Sequence, residues 1–323
     1  MNAPDHPQPQ PREGSTAGPF HHPALFYRTR AEYLAGTVPF LLDGLAAGEP
    51  AAAAVPEPNL ELLRNELGAA AEQVTLLDMG QAGRNPGRII PGVLRAFADA
   101  HLGRRARIIG EPIWPGRSRT EYPACLQHEA LINHAFAGRQ TTILCPYDAE
   151  ALDPQILADA AATHPVLVDA DGERASDRYA ADEIVHAINQ PLPDIPATAA
   201  QITRLDYDSA SLDTARDLVI QHARRAGLPT DRILDAELAV NELTANTLMH
   251  GGGHGTLRIW TEPRHLVCQT TDNGHIPDPL AGRRPVPPHH PGGRGLLLVN
   301  QLADLTRTHT LPGATTIRIY FQR

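Results

Sequence analysis

Residues 237–253 read ELAVNELTANTLMHGGG, an apolar helical pattern that carries Glu242 and Asn246 four positions apart and stops on three glycines. At 100° per residue, positions four apart share a stripe, so Glu242, Asn246 and His250 line one side of the helix. Leu238, Val240, Leu243 and Leu248 are free to pack elsewhere on it. Alone, such a pair of polar residues reads as a solvated face. Further on, TTDNGHI (270–276) follows a strand-like run and offers Asp272 and Gly274. PGGRGLLLV (291–299) places Gly292, Gly293 and Gly295 just before an apolar helix, where backbone N–H groups can face a phosphate. Each stretch is weak by itself; their order and spacing are informative.

Working outward, the last 123 residues have one grammar. Two helices come first, SLDTARDLVIQHARRAG (211–227) and DRILDAELAVNELTANTLMH (231–250). A hairpin follows in TLRIWTEPRHLVCQTTD (256–272), then a Pro/Gly/His loop, a helix, LTRTHT (305–310) and TTIRIYF (315–321). Ile317, Ile319 and Phe321 share a face by the twofold alternation of a strand. The expected architecture is an α+β sandwich with one apolar sheet face under helices.

Residues 20–186 alternate differently. Helical spacing in RAEYLAGTVPFLLDGLAAGE, NLELLRNEL, PGRIIPGVLRAFADAHL, TEYPACLQHEALINHAF and DPQILADAAATH is interleaved with the short apolar runs PAAAAVP, VTLLD, RARIIGEPIW and TTILCPYD. That alternation predicts an α/β domain with a parallel sheet covered on both faces. Residues 187–200, AINQPLPDIPATAA, carry three prolines and read as an interdomain linker. Residues 1–19 are rich in Pro and Gln, lack the apolar core of a signal peptide, and read as a disordered tail.

The whole chain, 323 residues, is long enough for two domains. No run of about 18 apolar residues predicts a membrane span. Cys125, Cys145 and Cys268 have no paired spacing, which fits a reducing cytoplasm. The net charge of −9 argues against a direct nucleic-acid footprint and leaves proteins or small molecules as partners.

The three motifs resemble the N box and the two glycine boxes of the GHKL (Bergerat) ATPases, and the chain from 201 to 323 looks most like the ATPase domain of anti-sigma-factor serine kinases, in the manner of RsbA-like regulators. The resemblance implies bound ATP and Mg²⁺. Asn246 would hold the metal through its amide oxygen and Glu242 would be the catalytic base. Asp272 would accept from the adenine amino group, and Gly274 would let the ring approach. Gly293, Arg294, Gly295 and Leu296 would surround the phosphates, and Thr315 or Thr316, the latter taken first, would close the adenine pocket. The expected partner is a sigma factor or its antagonist. The family's first glycine box ends in Gly where this chain has Ile276, and its ATP lid corresponds to residues 275–292, where His289 and His290 read as loop residues rather than metal ligands.

Residues 20–186 are similar to the MEDS sensory domain through HHPALFYRTRAEYLAGTVPFLLDGLAAGEP and its continuation to 67, TLLDMGQAGRNPGRII and LCPYD. This resemblance implies a degenerate RecA-like parallel sheet that senses a small organic molecule. Open α/β sheets place ligands at strand ends, which makes Glu111, Trp114, Tyr147 and Asp148 sensor candidates, with Glu121, Glu129 and Asn133 on the intervening segment. His128 and His134 are about 240° apart on a helix and cannot share an ion. EIVHAINQPLPD (183–194) is similar to a histidine-kinase phosphoacceptor box centred on His186, but Pro191, Pro193 and Pro196 break the helix such a box needs. The resulting expectation is a cytoplasmic, sensor-controlled anti-sigma factor and serine-protein kinase, with a homodimer left open. The alternatives are a non-catalytic nucleotide-binding protein that sequesters a partner, and a sensor histidine kinase.

Overall fold

Five consecutive small apolar residues with no alternation need cover on both sides, and Ala51–Val55 is buried at every position. The computed structural model describes residues 20–286 and 293–323; the predicted tail and the His289–His290 pair lie outside the described residues. Its strands are β1 (Phe20–His21), β2 (Pro23–Tyr27), β3 (Ala51–Val55), β4 (Val74–Asp78), β5 (Ala106–Gly110), β6 (Thr141–Asp148), β7 (Val166–Asp169) and β8 (Gly172–Ala175) in the first sheet. They run in the order β4-β3-β5-β6-β2-β7-β8, with β1 beside β6. All pairs are parallel except β7 with β8. The helices of this half are α1 (Arg30–Ala46), α2 (Glu57–Leu67), α3 (Met79–Ala82), α4 (Arg95–Ala100), α5 (Tyr122–Ala135), α6 (Pro154–Thr163) and α7 (Ala181–Ile188).

The predicted continuous helix over 86–102 is broken. A 3₁₀ turn spans Pro86–Arg88 and a π-helical stretch spans Ile90–Leu94 before α4 begins. Pro91 has no N–H to donate and its ring crowds the carbonyl four residues back, so a regular helix cannot run through it. The domain also does not close on α6, since β7, β8 and α7 follow it. These strands have only four residues each, too few for a periodic signal.

The second sheet is β9 (Ala200–Tyr207), β10 (Gly255–Thr261), β11 (His265–Asp272), β12 (Leu305–Leu311) and β13 (Ala314–Gln322), in the order β12-β13-β11-β10-β9 with every pair antiparallel. Helices α8 (Leu212–Arg225), α9 (Thr230–His250) and α10 (Gly295–Leu302) cover one face. There Val219, Val240, Leu243 and Val299 pack on Leu257, Cys268, Ile317, Ile319 and Phe321. Strand β9 escaped the sequence reading, which began this domain with two helices. The opposite face is not simply open. Trp260, Val267, Leu305 and Tyr320 are buried there against Ala124 of α5, with Ile195 and Ala199 of the 187–200 segment. That segment is therefore docked along the sheet, and Arg318, stacked over Trp260, donates to Pro193 O at 2.7 Å.

The two halves meet at the C-terminal end of α10. The last carbonyls of a helix have no partner within it. Here Asn85 Nδ2 donates to Asn300 O, Ala303 O and Thr306 Oγ1 at 3.1, 3.3 and 3.0 Å. Arg84 donates to Gln301 O and Leu302 O and pairs with Asp304 at 3.0 Å. Gly87 lies so close to Asn300 Oδ1 that a Cβ would not fit. Asn85 is fully buried, so its loss would strand carbonyls that water cannot reach. Asn85→Ala is expected to lower the unfolding free energy by about 2–4 kcal/mol, from roughly 1–3 kcal/mol per stranded group. A fall in the urea midpoint of the full chain measures this, and an unchanged midpoint would refute the clamp.

Candidate functional site

Helix α9 ends where it does because the next residues must be glycine. Gly251 donates to Thr247 O at 2.8 Å, and a Cβ on it would lie 2.6 Å from Asp272 Cγ. Gly252 and Gly253 have φ of +88° and +83°, in the left-handed region. The turn so formed brings the end of α9 against the end of β11. At that junction Asp272 is held from two sides. Its Oδ1 accepts the Gly274 N–H at 2.8 Å and its Oδ2 accepts the Thr247 hydroxyl at 2.7 Å. Thr247 in turn accepts from Tyr207 of β9 at 2.8 Å. Burial pushes the Tyr207 hydroxyl up to about 12, so it keeps its proton and can donate. The carboxylate is fixed in orientation with lone pairs left over, since each oxygen has capacity for more than one bond.

Across the cavity, Glu242 and Asn246 approach the first residue of α10. A Cβ on Gly295 would lie 2.9 Å from Glu242 Oε2 and 3.1 Å from Asn246 Nδ2. Any larger residue at 295 would push both polar side chains away. Between this point and Asp272 lies a cavity of about 560 Å³, within the size range of small-molecule sites. Asn246, His250, Asp272, Gly274, Gly293, Gly295 and Leu296 line it, over an apolar floor of Leu243, Ile276 and Ile317. Ile276 also ties the loop to the sheet, donating its N–H to Thr310 Oγ1 at 2.9 Å.

Not every candidate converges there. Thr315 lines the cavity, whereas Thr316 projects from the other face of the sheet, 3.3 Å from Thr271 Oγ1, because neighbours in a strand point in opposite directions. Arg294 sits at the N-cap of α10, exposed, and Glu242 stands beside Gly295 rather than on the cavity wall. Tyr207 and Thr247, which orient Asp272, carried no signal, because their role depends on β9 lying next to β10 and on a buried helix face.

The sensor candidates fall into separate groups. Glu111 is buried and accepts from Asn59 Nδ2 at 3.0 and 2.8 Å. Burial pushes its carboxyl up to about 8, opposed by the Asn59 hydrogen bonds and reinforced by the nearby Asp148 charge. Asp148 itself closes a turn by accepting from the N–H groups of Glu150 and Ala151. Trp114 stacks under the Arg117 guanidinium at 4.1 Å, and Arg117 bonds Glu121 at 2.9 Å and the carbonyls of Gly83 and Arg84. Glu129, Asn133 and Tyr147 belong to the interior between α5 and the sheet, and the buried Tyr147 hydroxyl has no hydrogen-bond partner among the described residues. His186 is exposed on α7, which ends two residues later at Ile188.

Residues 21–165 match the model of the MEDS family, the MEthanogen/methylotroph, DcmR Sensory domain, and residues 205–321 match that of the histidine kinase-like ATPase domain. No curated protein matches the chain. Among solved structures it is similar to the crystal structure of the RsbU and RsbW domains of Rv1364c from Mycobacterium tuberculosis. That likeness has 16% identity and a TM-score of 0.30, over 38% of this chain and 33% of the other. The match thus spans about a third of that solved chain. No helix among the described residues is long and apolar enough to cross a membrane.

The environment of Glu111 gives a pH signature. In the unfolded chain a Glu carboxyl ionises near its ordinary value of about 4.3, and in the fold only near 8. Between those values the folded protein holds a proton that the unfolded chain has released. Its stabilising contribution is complete below about 4.3 and is lost as pH rises through about 8. Relative to Glu111→Gln, the wild type should lose roughly 1.4 kcal/mol per pH unit between about pH 5 and 7.5. Urea titrations of both proteins across that range measure the difference, and parallel curves would contradict the assignment.

Proposed function

From a chain that carries a MEDS domain followed by a histidine kinase-like ATPase domain, we propose a sensor-controlled regulator. Its second domain binds ATP with Mg²⁺ and transfers the terminal phosphoryl group to a serine of a partner protein. The observation that carries this reading is the placement of Glu242 and Asn246 against Gly295 at one end of a cavity whose other end holds an oriented Asp272.

The remaining lone pairs of Asp272 suit a donor such as the adenine amino group. Guanine would present a carbonyl oxygen there, and two acceptors would repel. The N–H groups of Gly293, Arg294 and Gly295 open α10, where the helix dipole and the first-turn backbone N–H groups favour phosphate. The Asn246 amide oxygen is a hard donor that suits Mg²⁺, an ion that commonly takes few protein ligands and completes its shell with phosphate oxygens and water. Bound there, the ion would neutralise charge on the phosphates. Glu242, beside Asn246 but off the cavity wall, is placed to accept the proton of a hydroxyl brought in by a partner. The partner class is a sigma factor or its antagonist, and the site of action is the cytoplasm. The proposed division of the chain is a sensory domain over 20–186, a connecting segment over 187–200 and the ATPase domain over 201–323.

A second reading, a nucleotide-dependent binding protein that sequesters its partner without phosphoryl transfer, draws on Ile276. Where the resembling family has glycine, this side chain packs into the core and fixes the start of the lid.

Calorimetric titration with Mg-ATP tests the reading. Asn246→Ala and Asp272→Ala are each expected to weaken binding about tenfold or more, the equivalent of 1.4 kcal/mol. GTP should bind weaker than ATP by a similar factor. Glu242→Ala should bind ATP as the wild type does, while phosphoserine formation on a partner falls roughly 10²–10⁴-fold, the usual contribution of a general base. Adenine nucleotide binding without any phosphoserine would select the sequestering reading, and failure to bind adenine nucleotides at all would remove both.

A further inference from the structure

Away from the nucleotide cavity, four chemically reactive side chains meet in the interior of the first domain. His22 stands between β1 and β2, Glu129 on α5, Cys145 on β6 and His164 between α6 and β7, and each is 0–1% exposed. One ligand atom from each lies within 4.8 Å of all the others. Glu129 Oε2 is 3.5 Å from His22 Nε2 and 3.2 Å from His164 Nε2, and Cys145 Sγ is 3.5 Å from His22 Nε2.

The protonation of these rings is set by what lies behind them. His164 Nδ1 is 2.8 Å from Ala160 O, a carbonyl that can only accept, so Nδ1 carries the hydrogen. His22 Nδ1 is 3.1 Å from Asn133 Oδ1. The Asn133 amide cannot be turned round, because its Nδ2 donates to Ala130 O and Thr163 O. His22 therefore also carries its hydrogen on Nδ1. In neutral imidazoles both Nε2 atoms then present lone pairs to the centre of the cluster. Glu129 faces them with two oxygens, and with both Nδ1 atoms protonated no N–H among the described residues is aimed at these oxygens or at His164 Nε2. The Cys145 thiol, a weak donor 3.5 Å from His22 Nε2, is the one donor facing these acceptors among the described residues; acceptors that outnumber donors in a dry interior repel one another and are costly to bury.

We propose that this cluster is a zinc-class metal site, with His22, Glu129, Cys145 and His164 as ligands. Bonds of about 2.0–2.3 Å in a tetrahedron place donor atoms about 3.3–3.7 Å apart, close to the 3.2–3.5 Å of the three nearest pairs, and the whole set, within 4.8 Å, would draw in slightly around an ion. Two imidazoles, a thiolate and a carboxylate suit Zn²⁺. Asn133 and the Ala160 carbonyl act from behind the ligands, orienting each ring as outer partners of metal-bound histidines do. Four protein ligands, all buried, make a closed site. Its role is to fasten the first strands to α5, β6 and the start of β7, not to catalyse.

The test uses the full-length chain. Metal analysis after gel filtration should find one Zn²⁺ per chain. The Co²⁺-substituted protein should show the intense visible bands of a four-coordinate ion and a thiolate charge-transfer band. Cys145→Ser should lose that band, and His164→Ala should lose the metal. Stripping the ion with a chelator should lower the melting temperature of the wild type by roughly 5 °C or more. Should the variants not fold, the wild-type cobalt spectrum decides alone. A folded wild type that takes up neither Zn²⁺ nor Co²⁺ would overturn the proposal, leaving the cluster a buried His–Glu ion pair. A Cys145→Ser protein with an unchanged cobalt spectrum would overturn it as well.

Discussion

Helix α10 is made of eight residues, and what satisfies its two ends ties the molecule together. Its first residue, Gly295, is the point on which Glu242 and Asn246 converge. Its last carbonyls cannot be bonded within the helix, and Arg84 and Asn85 of the other domain supply donors alongside Arg232 of α9, which reaches Leu302 O at 2.8 Å. Eight residues span about 12 Å, so the proposed phosphate end and the interdomain clamp are only that far apart on one stiff element. Removing the clamp would leave buried acceptors exposed to nothing, which is why a polar contact between domains has such leverage here. Arg283 adds a second tie. It is buried in the loop after β11, where desolvation lowers its pKa to about 10, so it stays charged at neutral pH and needs the Gln127 side chain, 2.7 Å away, to offset its burial.

Much of the second domain could be read from the sequence because its signals are local. The spacing of Glu242 and Asn246 follows from the helical period alone, and the alternation in TTIRIYF places Ile317, Ile319 and Phe321 on the core face that they occupy. The same alternation separates Thr315 from Thr316, and only the pairing with β11 and β12 says which of the two faces the cavity. Tyr207 and Thr247 could not have been found from spacing, since they act through a contact between residues 40 apart. The first domain was legible as alternating helices and strands but not in its details. Pro91 diverted an otherwise helical run, and the edge strands β7 and β8 were too short to register.

The sensor candidates show a similar limit. Strand ends pointed to Glu111 and Tyr147 as sensor candidates; the fold buries both, and strand position alone does not say what they face. Glu129 and Asn133 sit on one helix, and their partners His22 and His164 come from segments more than 100 residues before Asn133 and about 30 after it. No window of the sequence contains that group. The HEALINH stretch, rejected as a metal motif because His128 and His134 point apart, turns out to contribute Glu129 between them.

Helix α5 connects these observations. Residues two apart on a helix lie about 200° apart around it, so Gln127 and Glu129 face opposite ways: Gln127 toward Arg283, Glu129 into the cluster of histidines. Ala124, one turn earlier, packs on Trp260 of the second sheet. The loop before α5 adds the remaining link, because Arg117, held between Trp114 and Glu121, bonds the carbonyls of Gly83 and Arg84 at the start of the clamp on α10. Helix α5 thus has one face in the interior of the first domain and the other on the second domain. An element packed on both domains is the structural precondition for coupling between them, which also requires that element to have two arrangements.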